Sequence, residues 1–238
     1  MSASALLNLN IDFSEIDLMN IAAYKAIYQR FGLLATLHDF CISAIEKIVR
    51  FRLLLVYVHK DLGPINTPPI PGLDIRVVTA EELEAHAGAP GLDLPRSHIE
   101  QALANGDKCI GAFLDNQLCS YAWYAHNAST SSNRLVTRFS SDYAYAYKNL
   151  TLPAYRGRGI QRWVKNYALS LYQAEGKKGV IVAIDSNNFS SRRTTAAVGA
   201  KVTAYFAYFL GQKRYVGFNV WGSKKLGYRL EKAENFGA

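Results

Sequence analysis

The chain has 238 residues, 50% hydrophobic and 19% charged, with 27 Lys and Arg against 19 Asp and Glu, a formal net charge of +8. That length and apolar content suit one domain of average size plus an extension, and they exclude a disordered chain or a scaffold dependent on disulfides. Uninterrupted apolar runs such as Leu53–Val58 are far short of a membrane span. Residues 1–20 carry Asp12, Glu15 and Asp17 but no Lys or Arg, so neither a secretory signal nor a transit peptide is expected.

The three cysteines, Cys41, Cys109 and Cys119, form no CxxC pair and no metal-ligand spacing; they read as reduced thiols of a cytoplasmic protein, and no metal is predicted. The charge is unevenly placed. Residues 1–72 balance, residues 73–133 sum to −5, and residues 134–238 to +13. A basic field of that size suits an anionic partner such as a nucleotide, a coenzyme or an acidic carrier protein. Nucleic acid is disfavoured, because the aromatics Tyr205, Phe206, Tyr208 and Phe209 alternate with apolar residues rather than with Lys or Arg.

In chain order, Ser14 and Asp17 have capping-box spacing. An apolar stripe then runs Ile21, Tyr24, Tyr28, Phe31, Ala35, His38, Ile42, Ile45, Val49, one face of a helix interrupted near Gly32. This pair is expected to pack on the second domain or on the partner subunit of a homodimer. Four prolines between Pro64 and Pro71 read as a semi-rigid linker. The predicted organisation is therefore an N-terminal helical extension over 1–62, a linker over 63–72 and a domain over 73–238.

Within that domain, Leu73–Val78 alternates as a strand, Thr79 with Glu82 opens a short helix, and a second helix covers Pro95 to Ala104. Lys108–Leu114 and Leu118–Ala125 form a hairpin about Asn116-Gln117, which places Cys109 opposite Tyr124 and Cys119 opposite Leu114. A polar loop over 126–133 precedes a Tyr-rich strand from Asp142 to Leu152. An amphipathic helix runs from Ile160 to Leu171 and is terminated by Gly176, and Gly179–Ile184 is a buried strand of the parallel kind. A short helix from Phe189 to Val198 and a hairpin of Val202–Leu210 with Tyr215–Trp221 complete the chain. The order is α/β: a mixed sheet with helices on its faces.

The segment Leu150-Thr151-Leu152-Pro153-Ala154-Tyr155-Arg156-Gly157-Arg158-Gly159-Ile160-Gln161 joins a strand to an amphipathic helix. Two glycines let the backbone turn sharply, the helix presents its positive end, and Arg156 and Arg158 add charge; together these suit a diphosphate. There is no G-x-G-x-x-G and no G-x-x-x-x-G-K-[ST], and no G-x-S-x-G or H-E-x-x-H.

Arg156 to Gln161 resembles the coenzyme A pyrophosphate loop of the GNAT superfamily of N-acetyltransferases, Q/R-x-x-G-x-G/A. Asn188, Ser191 and Gly199-Ala200 are similar to the family's Asn-x-x-Ser spacing and to the glycine that closes its next helix. The likeness covers about 165 residues, from Leu73 to the C-terminus. Three positions depart from the pattern: Gln161 where the family has Gly or Ala, which predicts a crowded phosphate site; Thr195 where many members carry a Tyr that protonates the departing thiolate; and Ala200 in place of Phe.

The resemblance implies a GNAT-like fold and acyl transfer from acetyl-CoA or another acyl-CoA, used as co-substrate, to a small-molecule amine by direct attack. It implies coenzyme contacts at Leu150, Thr151, Leu152, Arg156, Gly157, Arg158, Gly159, Ile160, Gln161, Asn188 and Ser191, with the pantetheine arm pairing to free backbone groups of Leu150 and Leu152. A base is expected on the Tyr-rich strand, where Asp142 is the carboxylate and Tyr147 a second titratable candidate. Two alternatives accompany this reading: a long-chain acyltransferase that takes its donor from an acidic acyl carrier protein, and a non-catalytic module that binds CoA.

Overall fold

The protein is described by a computed structural model covering residues 21–49, 51–62, 70–130, 135–210 and 215–232. Its contacts divide the chain into two compact units, one of residues 1–52 with 208–216 and one of residues 53–207 with 217–238. In the first unit, α1 (Ile21–Phe31) and α2 (Leu33–Val49) are antiparallel neighbours. The break between them falls at Gly32, whose φ of +84° is a left-handed conformation that costs glycine little. The Tyr24 and Phe40 rings meet edge-on at 6.0 Å. No residue of α1 is buried, and Leu33, Leu34, Leu37 and Phe40 of α2 are exposed. The capping-box pair Ser14 and Asp17 and linker residues 63–69 lie outside the described residues.

The second unit holds most of an eight-stranded sheet. In chain order its strands are β1 (Phe51–His59), β2 (Asp74–Val77), β3 (Lys108–Leu114), β4 (Gln117–Ala125), β7 (Tyr143–Thr151), β8 (Gly179–Asp185), β9 (Lys201–Leu210) and β10 (Tyr215–Trp221). Their spatial order is β10-β9-β1-β8-β7-β4-β3-β2. Of the registers along it, β7–β8 is parallel, while β1–β8, β2–β3, β3–β4 and β4–β7 are antiparallel. A second sheet pairs β5 (Ser129–Thr130) with β6 (Leu135–Arg138) and β6 with β11 (Arg229–Lys232).

β1 differs from the sequence expectation. Residues 51–59 belong by pattern to a helical extension, yet they form a strand lodged between β8 and β9, with Leu54 opposite Asp185 and His59 opposite Val180. Its run of apolar side chains, buried from Leu54 to His59, is the signature of a strand covered on both faces, and a short run of that kind carries no period to separate strand from helix.

Alternation along the strands sorts the core into two layers. On one face, Ile110, Ala112, Ala122, Tyr124, Ala144, Ala146, Val180 and Val182 pack against Ile160, Val164, Ala168 and Tyr172 of α5 (Ile160–Ala174). On the other, Cys109, Phe113, Leu118, Tyr121 and Trp123 meet Leu83 of α3 (Ala80–Ala85) and Ile99 and Ala102 of α4 (Arg96–Ala104). The start of α3 is fixed as its sequence requires: Thr79 and Glu82 make a reciprocal capping box, and Arg76 clamps both Glu82 oxygens at 2.6 and 2.7 Å.

The β3–β4 turn is Asp115-Asn116, both with positive φ (50° and 62°), one residue before the expected Asn116-Gln117. Such two-residue turns follow the twist of a hairpin. Cys109 consequently faces Trp123, and Cys119 sits at an irregularity between the Phe113↔Leu118 and Ala112↔Ser120 pairs. All three thiols are free.

Candidate coenzyme-binding site

β7 and β8 are paired from Tyr143↔Gly179 to Ala146↔Val182, and there the register stops, although the strands continue to Thr151 and Asp185. The bulge that turns β7 away falls at Lys148, which has φ +35° and no partner between the Trp123↔Tyr147 and Ala122↔Asn149 pairs. A wedge therefore opens between Tyr147–Thr151 and the end of β8. Beyond Thr151 the chain makes one 3-10 turn (Pro153–Tyr155) and enters α5 through Gly157 (φ +80°) and Gly159 (φ +77°). Gly159 is the N-cap of α5 and supplies no side-chain cap. Among the described residues, no N–H from Gly157 to Gly159 donates to a backbone carbonyl, so a run of donors and the helix dipole face the same region.

Arg156 and Arg158 flank this turn. The Arg156 Nε donates to Thr151 O at 3.0 Å, and the Arg158 guanidinium lies 5.5 Å from the centre of the Tyr155 ring. Both side chains are anchored at the surface with positive charge to spare. Gln161 departs from its expected role. Its amide turns into the sheet and donates to Ser120 Oγ, Tyr121 O and Leu150 O at 2.8, 2.9 and 3.0 Å, so it does not crowd the phosphate turn but ties α5 to β4 and β7.

That same network corrects the backbone groups expected to receive a pantetheine arm. Leu150 O accepts from Ser120 Oγ and Gln161, Leu152 N–H donates to Cys119 O, and Leu152 O accepts from Tyr155 N–H. Thr151 Oγ1 is 2.8 Å from Ser120 Oγ. Asn188 and Ser191 lie together at the start of α6 (Phe189–Ala196), where Asn188 Oδ1 accepts from Ser191 N–H at 3.1 Å as the N-cap.

The two candidates for the base lie at different ends of β7. Asp142 precedes the strand; its exposed carboxylate pairs with Lys178 at 2.8 Å, and that ammonium holds it below the usual carboxylate range. β7 spans nine residues, so Asp142 is separated from the glycine turn by about 30 Å of extended chain. Tyr147, by contrast, is the first residue past the last β7–β8 pair, on the sheet face covered by α3 and α4.

The Tyr147 hydroxyl donates to Asp107 Oδ2 at 2.5 Å. Asp107, 6% exposed, sits between α4 and β3, and burial pushes its carboxyl up to about 6 against the opposing pull of the Tyr147 hydrogen bond. His98 of α4 meets the Tyr147 ring edge-on at 6.0 Å, and its Nε2 is buried without a partner. Nothing in the sequence marks Asp107, whose partner is forty positions away.

On the opposite face, the ammonium of Lys165 is enclosed and donates to Thr195 Oγ1 at 2.9 Å. Burial lowers it to about 8. It lines a cavity of about 20 Å3 with His59, Thr195 and Val198, and burial likewise lowers His59 to about 4. Among the described residues, no group of three or more His, Cys, Asp and Glu is placed to hold a metal ion, and no helix is long and apolar enough to cross a membrane.

No family model matches the chain, and no curated protein matches it. Solved structures similar to it include an acetyltransferase assigned to the GNAT family from Novosphingobium aromaticivorans, with 20% identity over 67% of this chain and 64% of that one and a TM-score of 0.45. This chain thus spans less than two thirds of that relative. Another is a GNAT-family acetyltransferase from Colwellia psychrerythraea, with 17% identity over 86% and 74% and a TM-score of 0.46. A third is AAC(6')-Iy in complex with the bisubstrate analogue CoA-S-monomethyl-acetylneamine, with 18% identity over 62% and 97% and a TM-score of 0.43.

Proposed function

We propose that this chain is a divergent GNAT-type N-acyltransferase that moves an acetyl or other acyl group from a CoA thioester to an amine. One observation carries the reading: the wedge between β7 and β8 leads directly into the Arg156–Ile160 turn at the head of α5. An elongated ligand with a diphosphate at one end suits that arrangement. Its phosphates meet the N–H groups of Gly157, Arg158 and Gly159 and the two guanidiniums, and its arm lies in the wedge. When bound, the thioester supplies an activated acyl carbon. The chain's own part is to hold the phosphates, keep water from the wedge and receive the proton of the incoming amine. Asn188 and Ser191 bound the far side of the wedge through the start of α6, just past the end of β8.

Thermal unfolding with CoA, acetyl-CoA and a long-chain acyl-CoA tests this, alongside the double variant Arg156→Ala/Arg158→Ala. A ligand at 100 times its dissociation constant adds about 2.7 kcal/mol to the stability of the native state. Stabilisation of the wild type that is lost in the variant supports the site, and the ranking of chain lengths selects the donor. A transition unmoved by all three thioester and thiol ligands overturns the reading, and an acyl carrier protein is then the next donor to try.

A further inference from the structure

We infer that Tyr147 and Asp107 form the proton-accepting end of an acceptor site for a cationic primary amine, on the sheet face covered by α3 and α4. The inference rests on the acyl-transfer reading and adds to it the residues and the acceptor class. Four observations converge. Tyr147 stands where β7 first leaves β8, so its side chain borders the wedge at its closed end. Its hydroxyl hydrogen is committed to Asp107 Oδ2 at 2.5 Å, which leaves the oxygen lone pairs to accept from a ligand. Asp107 is buried and, among the described residues, forms no ion pair, so a cation arriving at Tyr147 meets an uncompensated carboxylate. The surrounding segment, residues 73–133, carries a charge of −5.

The proton balance closes. An ammonium N–H bond breaks and its proton passes to Tyr147 Oη, while the Tyr147 hydroxyl proton passes to Asp107 Oδ2, turning carboxylate into carboxylic acid. The freed nitrogen lone pair forms the C–N bond to the acyl carbon, the C–S bond breaks, and the thiolate takes the second nitrogen proton. Asp107 then releases its proton to solvent by the same route. Tyr147 touches the acceptor; Asp107 acts through it. An Asp raised toward neutrality is suited to this exchange, since its proton affinity is matched to the working pH. His98 on α4 faces the pair, Cys109 on β3 and Tyr172 on α5 act on it electrostatically, and Lys148 and Asp93 act on His98.

The test is acetyl transfer from acetyl-CoA to a panel of primary alkylamines, and in parallel to aniline, which is already neutral at pH 7. Free thiol is read from pH 5 to 9 for wild type, Asp107→Asn and Tyr147→Phe. Acetyl-CoA affinity is read separately by thermal shift. The expected result is a wild-type kcat that rises through about pH 6 and a loss of about 100-fold in kcat in either variant with alkylamines. The low-pH limb disappears in Asp107→Asn, KM for acetyl-CoA is unchanged, and the loss with aniline is at most a few-fold. Equal losses on alkylamine and aniline, or a variant that keeps both rate and limb, overturn the inference. So does a wild type that binds acetyl-CoA but acylates no alkylamine. Absence of acetyl-CoA binding is a different failure, that of the acyl-transfer reading itself. Tyr147→Phe, which removes one oxygen, keeps the test open if Asp107→Asn does not fold.

Discussion

The Gln161 side-chain amide donates to Leu150 O at 3.0 Å, so the first turn of α5 is fastened to β7 just before that strand gives way to the glycine turn. The same nitrogen reaches Tyr121 O and Ser120 Oγ, so one side chain sets the distance between helix, β4 and β7. The phosphate turn thus has a fixed floor: its N–H groups face a ligand because the helix behind them cannot rotate away.

Gln161→Ala removes the side-chain donor to Tyr121 O and leaves Leu150 O with Ser120 Oγ as its side-chain donor. The cost expected is about 1–3 kcal/mol, read as a lower urea midpoint at unchanged m-value. Affinity for CoA falls with it, because the turn loses its support. Gln161→Ala with wild-type stability and wild-type CoA affinity would show that the three hydrogen bonds do not hold the turn.

Asp142→Asn breaks only the exposed pair with Lys178 at the head of β7. Turnover and coenzyme affinity are expected to match the wild type, because the residue lies at the end of the strand away from the wedge. A selective fall in kcat for this variant would return Asp142 to the role of base and remove the reason for seeking one at Tyr147.

Much of this fold is legible in the sequence, and the exceptions have physical causes. Helix α5 carries a strong period, strands β3, β4 and β8 are bounded by firm turn signals, and the sheet with helices on both faces is as expected. β1 is hidden because an apolar run buried on both faces has no period of its own. β5, β6 and β11, of two to four residues each, are too short to show one; β11 is held to β6 in part by Glu231 between Arg138 and Arg229. The glycine turn is readable because its residue types are conformational necessities. Asp107 is not, because it becomes a candidate only when β4 brings β3 and β7 to its two sides, which no local pattern encodes.

The buried Asp107 carboxyl gives stability a sign that can be checked against pH. Its folded value, about 6, lies above the unfolded 3.8, so between these values the native state holds more protons than the unfolded one. Stability from this group is therefore greatest below about pH 4 and falls as pH rises to about 6, by about 2–3 kcal/mol in all. Urea titrations of wild type and Asp107→Asn from pH 4 to 8 read it as a difference. The variant gains on the wild type between pH 4 and 6, and the two curves run parallel above. Parallel curves throughout would mean that Asp107 is solvated and ionises as an ordinary carboxylate.

Lys165 titrates in the opposite sense. Burial lowers its ammonium from 10.5 to about 8, and among the described residues no carboxylate pairs with it; Thr195 Oγ1 is its partner. The unfolded chain therefore binds more protons between pH 8 and 10.5, and the native state gains stability as pH rises through that window. Lys165→Met, similar in length and uncharged, removes the penalty of an enclosed cation and is expected to stabilise the protein by on the order of 1–3 kcal/mol at pH 7. Its advantage shrinks toward pH 10, where the native lysine is already neutral. Differential unfolding of the two proteins at pH 7 and pH 10 measures both terms. A Lys165→Met protein less stable than wild type at pH 7 would show that the ammonium is compensated within the cavity it shares with His59, and that the charge is there to be matched.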